Sequence, residues 1–299
     1  MSAVFLKYIT GLLLFGSNGV VASFISLGSY EIVLLRSFFG ALVLLGIFLL
    51  SGRRFTAHRH KRDLLFVCLS GAAMAADWLF LFEAYARIGV SMGMLINYCG
   101  PAIVMALSPV VFKEKLTAQK IAALLAALAG VFLIGGGASP ESFDAAGILC
   151  AVLSAFSYSA MVIFNKMSKE VTGFEDSVIQ LITTCAVVAV YVWLRQGFAM
   201  EIRADEWLPI LWLGVVNTGA GCYLYFSSIG SLPVHTVSIC GYLEPLSAVV
   251  LSAIVLNEKM TVIQYTGALL MVFGALLGEG VIRTKRPAGR ERLRRKSRS

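Results

Sequence analysis

The chain of 299 residues is 58% hydrophobic and only 14% charged, with a mean hydropathy of +0.82 and a formal net charge of +8. A soluble domain is nearer half apolar and a quarter charged, so this chain has too little polar surface to coat a water-facing globule. At roughly 20 apolar residues per helical span the length holds about ten spans, with no stretch left for a soluble catalytic domain of about 100 residues; a cytosolic enzyme, a nucleic-acid-binding module and a disulfide-stapled secreted protein are excluded.

Ten apolar windows follow in chain order: 4–24, 30–51, 64–87, 91–112, 118–138, 145–166, 174–194, 207–228, 235–256 and 262–282. The expected fold class is therefore an all-α membrane protein with ten transmembrane helices. The connectors carry most of the charge (Gly52–Asp63, Lys113–Thr117, Asn257–Thr261) and are short enough to make neighbouring helices antiparallel. The first window combines Lys7, a short apolar run and Val20-Val21-Ala22, a pattern shared with secretory signals. Cleavage there would strand one half of a two-fold design, so it is read as an uncleaved span. Cys68, Cys99, Cys150, Cys185, Cys222 and Cys240 all fall in apolar runs without metal-ligand spacing and read as small buried side chains.

With the N-terminus placed in the cytoplasm, Lys and Arg number 20 inside against four outside, with Arg36 within a span. Nine of the inside charges belong to the tail from Arg283 to Arg298, and without them the bias is still 11 to four. Both termini are expected on the cytoplasmic side of a bacterial inner membrane, with the tail available to anionic lipid.

The halves answer each other at a shift of 144 residues. Tyr98 meets Tyr242, Pro101 meets Pro245, Glu114-Lys115-x-Thr117 meets Glu258-Lys259-x-Thr261, Leu125 meets Leu269 and Gly130 meets Gly274. A shared mid-span proline and a shared E-K-x-T turn are hard to obtain by chance. Five spans per half is an odd number, so the second half must enter the membrane with opposite orientation, an inverted-topology repeat of the kind found in secondary transporters. The expected units are 1–144, 145–282 and a basic tail, 283–299.

Tyr242-Leu243-Glu244-Pro245, Asn257-Glu258-Lys259-Met260-Thr261 and the Gly267/Gly274 helix, with Tyr98-x-Gly100-Pro101 and Lys113-Glu114-Lys115-Leu116-Thr117 as the partner copy, resemble the repeat of the drug/metabolite transporter superfamily, EamA branch. The resemblance implies a ten-helix basket around a central cavity and the movement of small metabolites. Within the superfamily the chain is most similar to exporters of the YddG type, which implies amino acids, aromatic ones included.

Ionisable groups inside spans are costly, so each needs a reason. Asp77 lies near mid-depth beside a stripe of Trp78, Phe82 and Tyr85; this is either a substrate wall or a packed stripe with Asp77 bonded to another helix. Glu83 and Arg87 stand in the favourable order for an i,i+4 pair and read as structural. Glu244 precedes Pro245, whose ring would free the carbonyl of Gly241, with Tyr242 nearby. Asn97, Tyr98 and Gly100-Pro101 make the equivalent break. Asp77, Trp78, Phe82, Asn97, Tyr98, Tyr225, Tyr242 and Glu244 are the expected substrate-binding set, with Gly100, Pro101 and Pro245 as hinges. Asn18, Gln180 and Asn217 read as amides that tie helices together, and His235 as an interfacial residue.

Gly135-Gly136-Gly137 lacks the residues of a phosphate loop and reads as a flexible turn. No cofactor is called for, and without an ATPase signature transport would run on a gradient. An intramembrane enzyme lacks the necessary groups, since Asp77 has no aspartate partner and no G-x-S-x-G or H-E-x-x-H occurs. The expected function is export of small metabolites, foremost amino acids, by alternating access of a monomer. Export of drugs or lipophilic cations by proton antiport, or passive conduction, stand as alternatives.

Overall fold

The computed structural model describes residues 3–88, 90–135, 144–198, 200–255 and 261–278, and the described residues are helical apart from short connections. Among the described residues each apolar window holds helix: α1 (Ala3–Gly16) with α2 (Asn18–Ala22), α3 (Ser29–Leu50), α4 (Lys61–Ile88), α5 (Val90–Asn97) with α6 (Gly100–Val111), α7 (Ala118–Gly135), α8 (Ala145–Met167), α9 (Gly173–Arg195), α10 (Trp207–Leu211) running through a π-helix (Trp212–Ala220) into α11 (Gly221–Ile229), α12 (Val234–Cys240) with α13 (Leu243–Val255), and α14 (Val262–Gly278). Seven of these helical stretches are long and apolar enough to cross a membrane, and 100–111, 118–133 and 262–278 are shorter apolar helices. The glycine turn beyond Gly135, the second E-K-x-T turn up to Met260 and the basic tail lie outside the described residues.

Leu50, Val110, Val262 and Leu208 stand out on the surface, Leu50 with 90% of its area exposed. Arg36, Asp77, Asn165, Asp176, Gln180, Asn217 and Thr218 are buried. A polar interior under an apolar exterior suits lipid as solvent, where backbone groups must be satisfied within each helix. No disulfide joins any of the six cysteines.

Neither mid-span proline kinks a continuous helix. The chain instead breaks at Tyr98–Cys99 and at Gly241–Tyr242 and restarts, with Pro101 and Pro245 in the first turn of the new helix. A missing N–H costs nothing there, because the first-turn donors have no intrahelical partner. The two breaks coincide to within a residue at the 144-residue shift.

Packing crosses between the halves. Helix α4 lies on α8, α7 on α14, and α3 on α9 and the π-helix, while α1 lies on α11 and α13. In α7 and α14 the contacts are reciprocal: a Cβ on Gly130 would meet the Gly267 carbonyl oxygen at 2.6 Å and the Met271 nitrogen at 3.0 Å, whereas one on Gly274 would meet the Ala123 carbonyl oxygen at 2.7 Å and the Ala127 nitrogen at 2.9 Å. Residues 123, 127 and 130 correspond to 267, 271 and 274 at the same shift. The partner number falls as the residue number rises, so the helices run antiparallel, and each uses the same face against the other, as in a two-fold contact. Small residues let the backbones come this close. Gly130→Ala and Gly274→Ala are each expected to destabilise by about 1–3 kcal/mol through overpacking, whereas Gly46→Ala, with nothing within 4 Å of its added methyl, is expected to leave stability unchanged or raise it. Thermal unfolding of the purified variants in detergent checks this; an unaltered midpoint in Gly130→Ala would contradict it.

Candidate functional site

The two breaks open onto a small, partly enclosed cavity of about 80 Å³ lined by Leu81, Tyr85, Met94, Asn97, Tyr98, Pro101, Tyr158, Gly241 and Glu244. Its walls come from α4, the α5/α6 break, α8 and the α12/α13 break. Tyr242 donates its hydroxyl to the Tyr98 carbonyl at 3.0 Å, joining two residues that correspond at the 144-residue shift. Tyr242 is itself buried, so it holds the floor together and does not face the cavity.

Of the expected set, Asn97, Tyr98, Glu244 and Pro101 reach the cavity. Asp77 lies behind Asn97: it accepts from the Asn97 amide at 2.9 Å and from the Ser154 hydroxyl at 2.6 Å. Asn97 Nδ2 also donates to Ser154 Oγ at 2.5 Å. The carboxylate therefore fixes which way the amide turns, and Ser154 of α8 completes the triangle. The aromatic stripe divides. Tyr85 faces the cavity, while Trp78 and Phe82 pack with Val33, Leu34, Val188 and Val192 between α3, α4 and α9. Tyr225 is buried against Tyr8 and Phe15, and its hydroxyl lies 3.2 Å from that of Tyr158, through which it supports the cavity wall.

The Gly241 carbonyl does not stand open as expected: it accepts from the Glu244 backbone N–H at 3.1 Å, closing the turn between α12 and α13. That turn carries the Glu244 side chain into the cavity. No ion pair engages its carboxylate among the described residues. Gly100 is where α6 meets α8 closely: an added Cβ would stand 2.7 Å from the Tyr158 ring, and its carbonyl accepts from Ser159 at 3.0 Å. No group of three metal-ligating side chains is found among the described residues.

The ends of the bundle are tied by charge. Glu83 receives Arg87 Nε at 2.9 Å, the Tyr30 hydroxyl and Arg195 at 3.5 Å, and Arg87 reaches Asp144 at 3.3 Å. Asp144 caps α8, and the Ala146 N–H it accepts holds its carboxyl below the usual carboxylate range. At the opposite end Lys113 takes a left-handed φ of 57° after α6, which turns Glu114 toward α12. Glu114 accepts from the Val234 N–H at 2.9 Å and lies 3.6 Å from His235. Lys166 of α8 donates to the Ile229 carbonyl at 2.7 Å and to that of Leu232. The amides act as ties: Asn217 donates to Ser17 at 2.8 Å and to Asn18 at 3.1 Å, and Gln180 accepts from Asn165 at 2.8 Å.

The Asp77–Asn97 bond has a direct test. In a double-mutant cycle of Asp77→Ala and Asn97→Ala, unfolding free energies are expected to couple by about 0.5–3 kcal/mol, and strictly additive losses would show that the two side chains act apart.

Comparison with known proteins places this geometry in context. The family model described as "EamA-like transporter family" matches the chain twice, over residues 2–136 and 145–278. The "Uncharacterized transporter YxxF" of Bacillus subtilis is 25% identical over 279 residues, covering 92% of this chain and 89% of its own length. The "Probable amino-acid metabolite efflux pump" of Salmonella typhimurium is 25% identical over 226 residues, covering 71% of this chain and 75% of its own. A solved crystal structure superposes with a TM-score of 0.80 at 19% identity, over 94% of this chain and 99% of the other, a likeness of fold.

Proposed function

We propose, from the premise that this chain belongs to the EamA-like transporter family of the drug/metabolite transporter superfamily, that it exports amino acids, aromatic and hydrophobic ones included, across the bacterial inner membrane by alternating access. The family makes it a multi-pass membrane transporter of small molecules and not an enzyme. The finer reading takes ten spans in two inverted five-helix units, 1–144 and 145–282, with both termini cytoplasmic.

The observation that carries it is the cavity where the two helix breaks meet. Its volume, about 80 Å³, is below the range of about 300–1,000 Å³ typical of small-molecule sites, so the lining and place of the cavity carry the reading, not its size. Tyr85, Tyr98, Tyr158, Leu81 and Met94 give it an aromatic and aliphatic wall for a side chain. Glu244 offers a negative charge for an ammonium group, and Asn97, held in orientation by Asp77, offers its amide group. Broken helices at the centre of inverted repeats are where transporters place substrate. The antiparallel, reciprocal packing of α7 and α14 supports the inversion. A salmonella relative whose name specifies amino-acid metabolite efflux supports the substrate class.

The test is a panel of radiolabelled amino acids in proteoliposomes, with and without an imposed pH gradient. Saturable uptake with counterflow is expected, and the gradient arm reports proton coupling. Glu244→Gln and Asp77→Asn are each expected to lower transport at least about tenfold, the scale of a lost charged hydrogen bond, while the protein still folds. Full transport in both variants, or flux that never saturates, would contradict the proposal.

A further inference from the structure

Arg36 is a buried cation that the cavity description leaves unused. It sits on α3 with 7% of its surface accessible. Its guanidinium carbon lies 4.3 Å from the centre of the Trp78 ring, and its Nε donates to Thr218 Oγ1 at 2.9 Å. The terminal nitrogens donate to no partner among the described residues, and no carboxylate forms an ion pair with them. A guanidinium in a membrane interior with an open planar fork is expensive. If Arg36 were only a helix tie, an uncharged donor to Thr218 would do the same work.

The surroundings hold this fork in place. Thr218 belongs to the π-helix, a rare form of helix frequently found at functional positions. Its neighbour Asn217 is pinned to Ser17 and Asn18 at the α1/α2 break and keeps its Oδ1 buried without a partner. The same break abuts the substrate side: a Cβ on Gly16 would stand 2.7 Å from the Glu244 carbonyl oxygen. Polar side chains thus run from the α1/α2 break, against which the Glu244 backbone packs, through Asn217 and its neighbour Thr218 to Arg36. The charges of Arg36 and Glu244 act on each other through space without touching. One cation and one anion, both unpaired and set apart, match the two ends of a zwitterion.

We infer that Arg36 forms a carboxylate-binding subsite, with Trp78 and Thr218 fixing its guanidinium so that its terminal nitrogens grip the substrate carboxylate while Glu244 takes the ammonium group. Arginine suits this task because its rigid fork binds carboxylate in bidentate fashion. The inference rests on the amino-acid reading for its substrate, but the subsite has a signature of its own.

The experiment measures binding of L-phenylalanine, 3-phenylpropionate and L-phenylalaninamide to the full chain in lipid nanodiscs, for wild type, Arg36→Gln and Arg36→Lys. Arg36→Gln is expected to weaken phenylalanine and phenylpropionate at least about tenfold, the worth of a hydrogen bond to a charged group, and to hold phenylalaninamide within about twofold. Arg36→Lys is expected to recover part of the loss. Retained amide binding also shows that the variant is folded. An equal loss for all three ligands, undiminished binding of both carboxylates by Arg36→Gln, or a wild type that binds neither carboxylate overturns the subsite. Arg36-dependent phenylpropionate binding in a protein that transports no amino acid would uphold the subsite and sink the export reading.

Discussion

The hydrogen bond from the Tyr242 hydroxyl to the Tyr98 carbonyl ties together the two corresponding helix breaks that open onto the cavity. Backbone broken at membrane depth exposes groups that water cannot satisfy, so it survives only where protein covers it. An unmet buried carbonyl costs on the order of 1–3 kcal/mol. Here each break lies against the other half of the chain. The side chain that caps one break comes from the equivalent position in the second. The cavity occupies the space that this arrangement leaves open, which is why Asn97, Tyr98, Gly241 and Glu244 reach it from sequence-distant segments.

The same two-fold logic recurs in α7 and α14, where Gly130 and Gly274 exchange partners at the 144-residue shift. Close-packed backbones leave little room for added volume at this contact. The ends differ in chemistry. Glu83, Arg87, Arg195 and Asp144 form an exposed charge cluster at one end. At the other, Lys166 and Glu114 bind backbone groups where α11 gives way to α12. An exposed cluster of this kind is cheap to open, whereas a buried lysine on two carbonyls is not.

Much of this was legible in the residue pattern. Apolar run lengths located the long helices among the described residues to within a few residues, because in lipid both length and hydrophobicity are dictated by the solvent. Tyr98, Pro101, Tyr242, Glu244 and Pro245 marked the breaks, because proline and a mid-span carboxylate are costly enough to need a reason. What the pattern did not reveal depends on which faces meet. Trp78 and Phe82 share a helical stripe with Tyr85, yet α9 covers them and leaves Tyr85 to the cavity. Ser154 carries no signal of its own, and Tyr158, a ring that could line a cavity, is not separable by pattern from the rings common in packed membrane helices. The π-helix had no proline to announce it. Arg36 did have a signal, as the lone in-span arginine, but its role emerges only from its stacking on Trp78 and its bond to Thr218.

Everything above depends on two units of the chain facing opposite ways in the membrane. The most direct measurement places a single cysteine at Lys115 or at Lys259, the paired E-K-x-T positions, in a chain whose native cysteines are replaced, and labels intact cells with a membrane-impermeant thiol reagent before and after permeabilisation. Labelling of Lys115→Cys only after permeabilisation, and of Lys259→Cys in intact cells, is the predicted result. Both positions reacting from the same side would contradict the inverted arrangement and with it the shared central cavity.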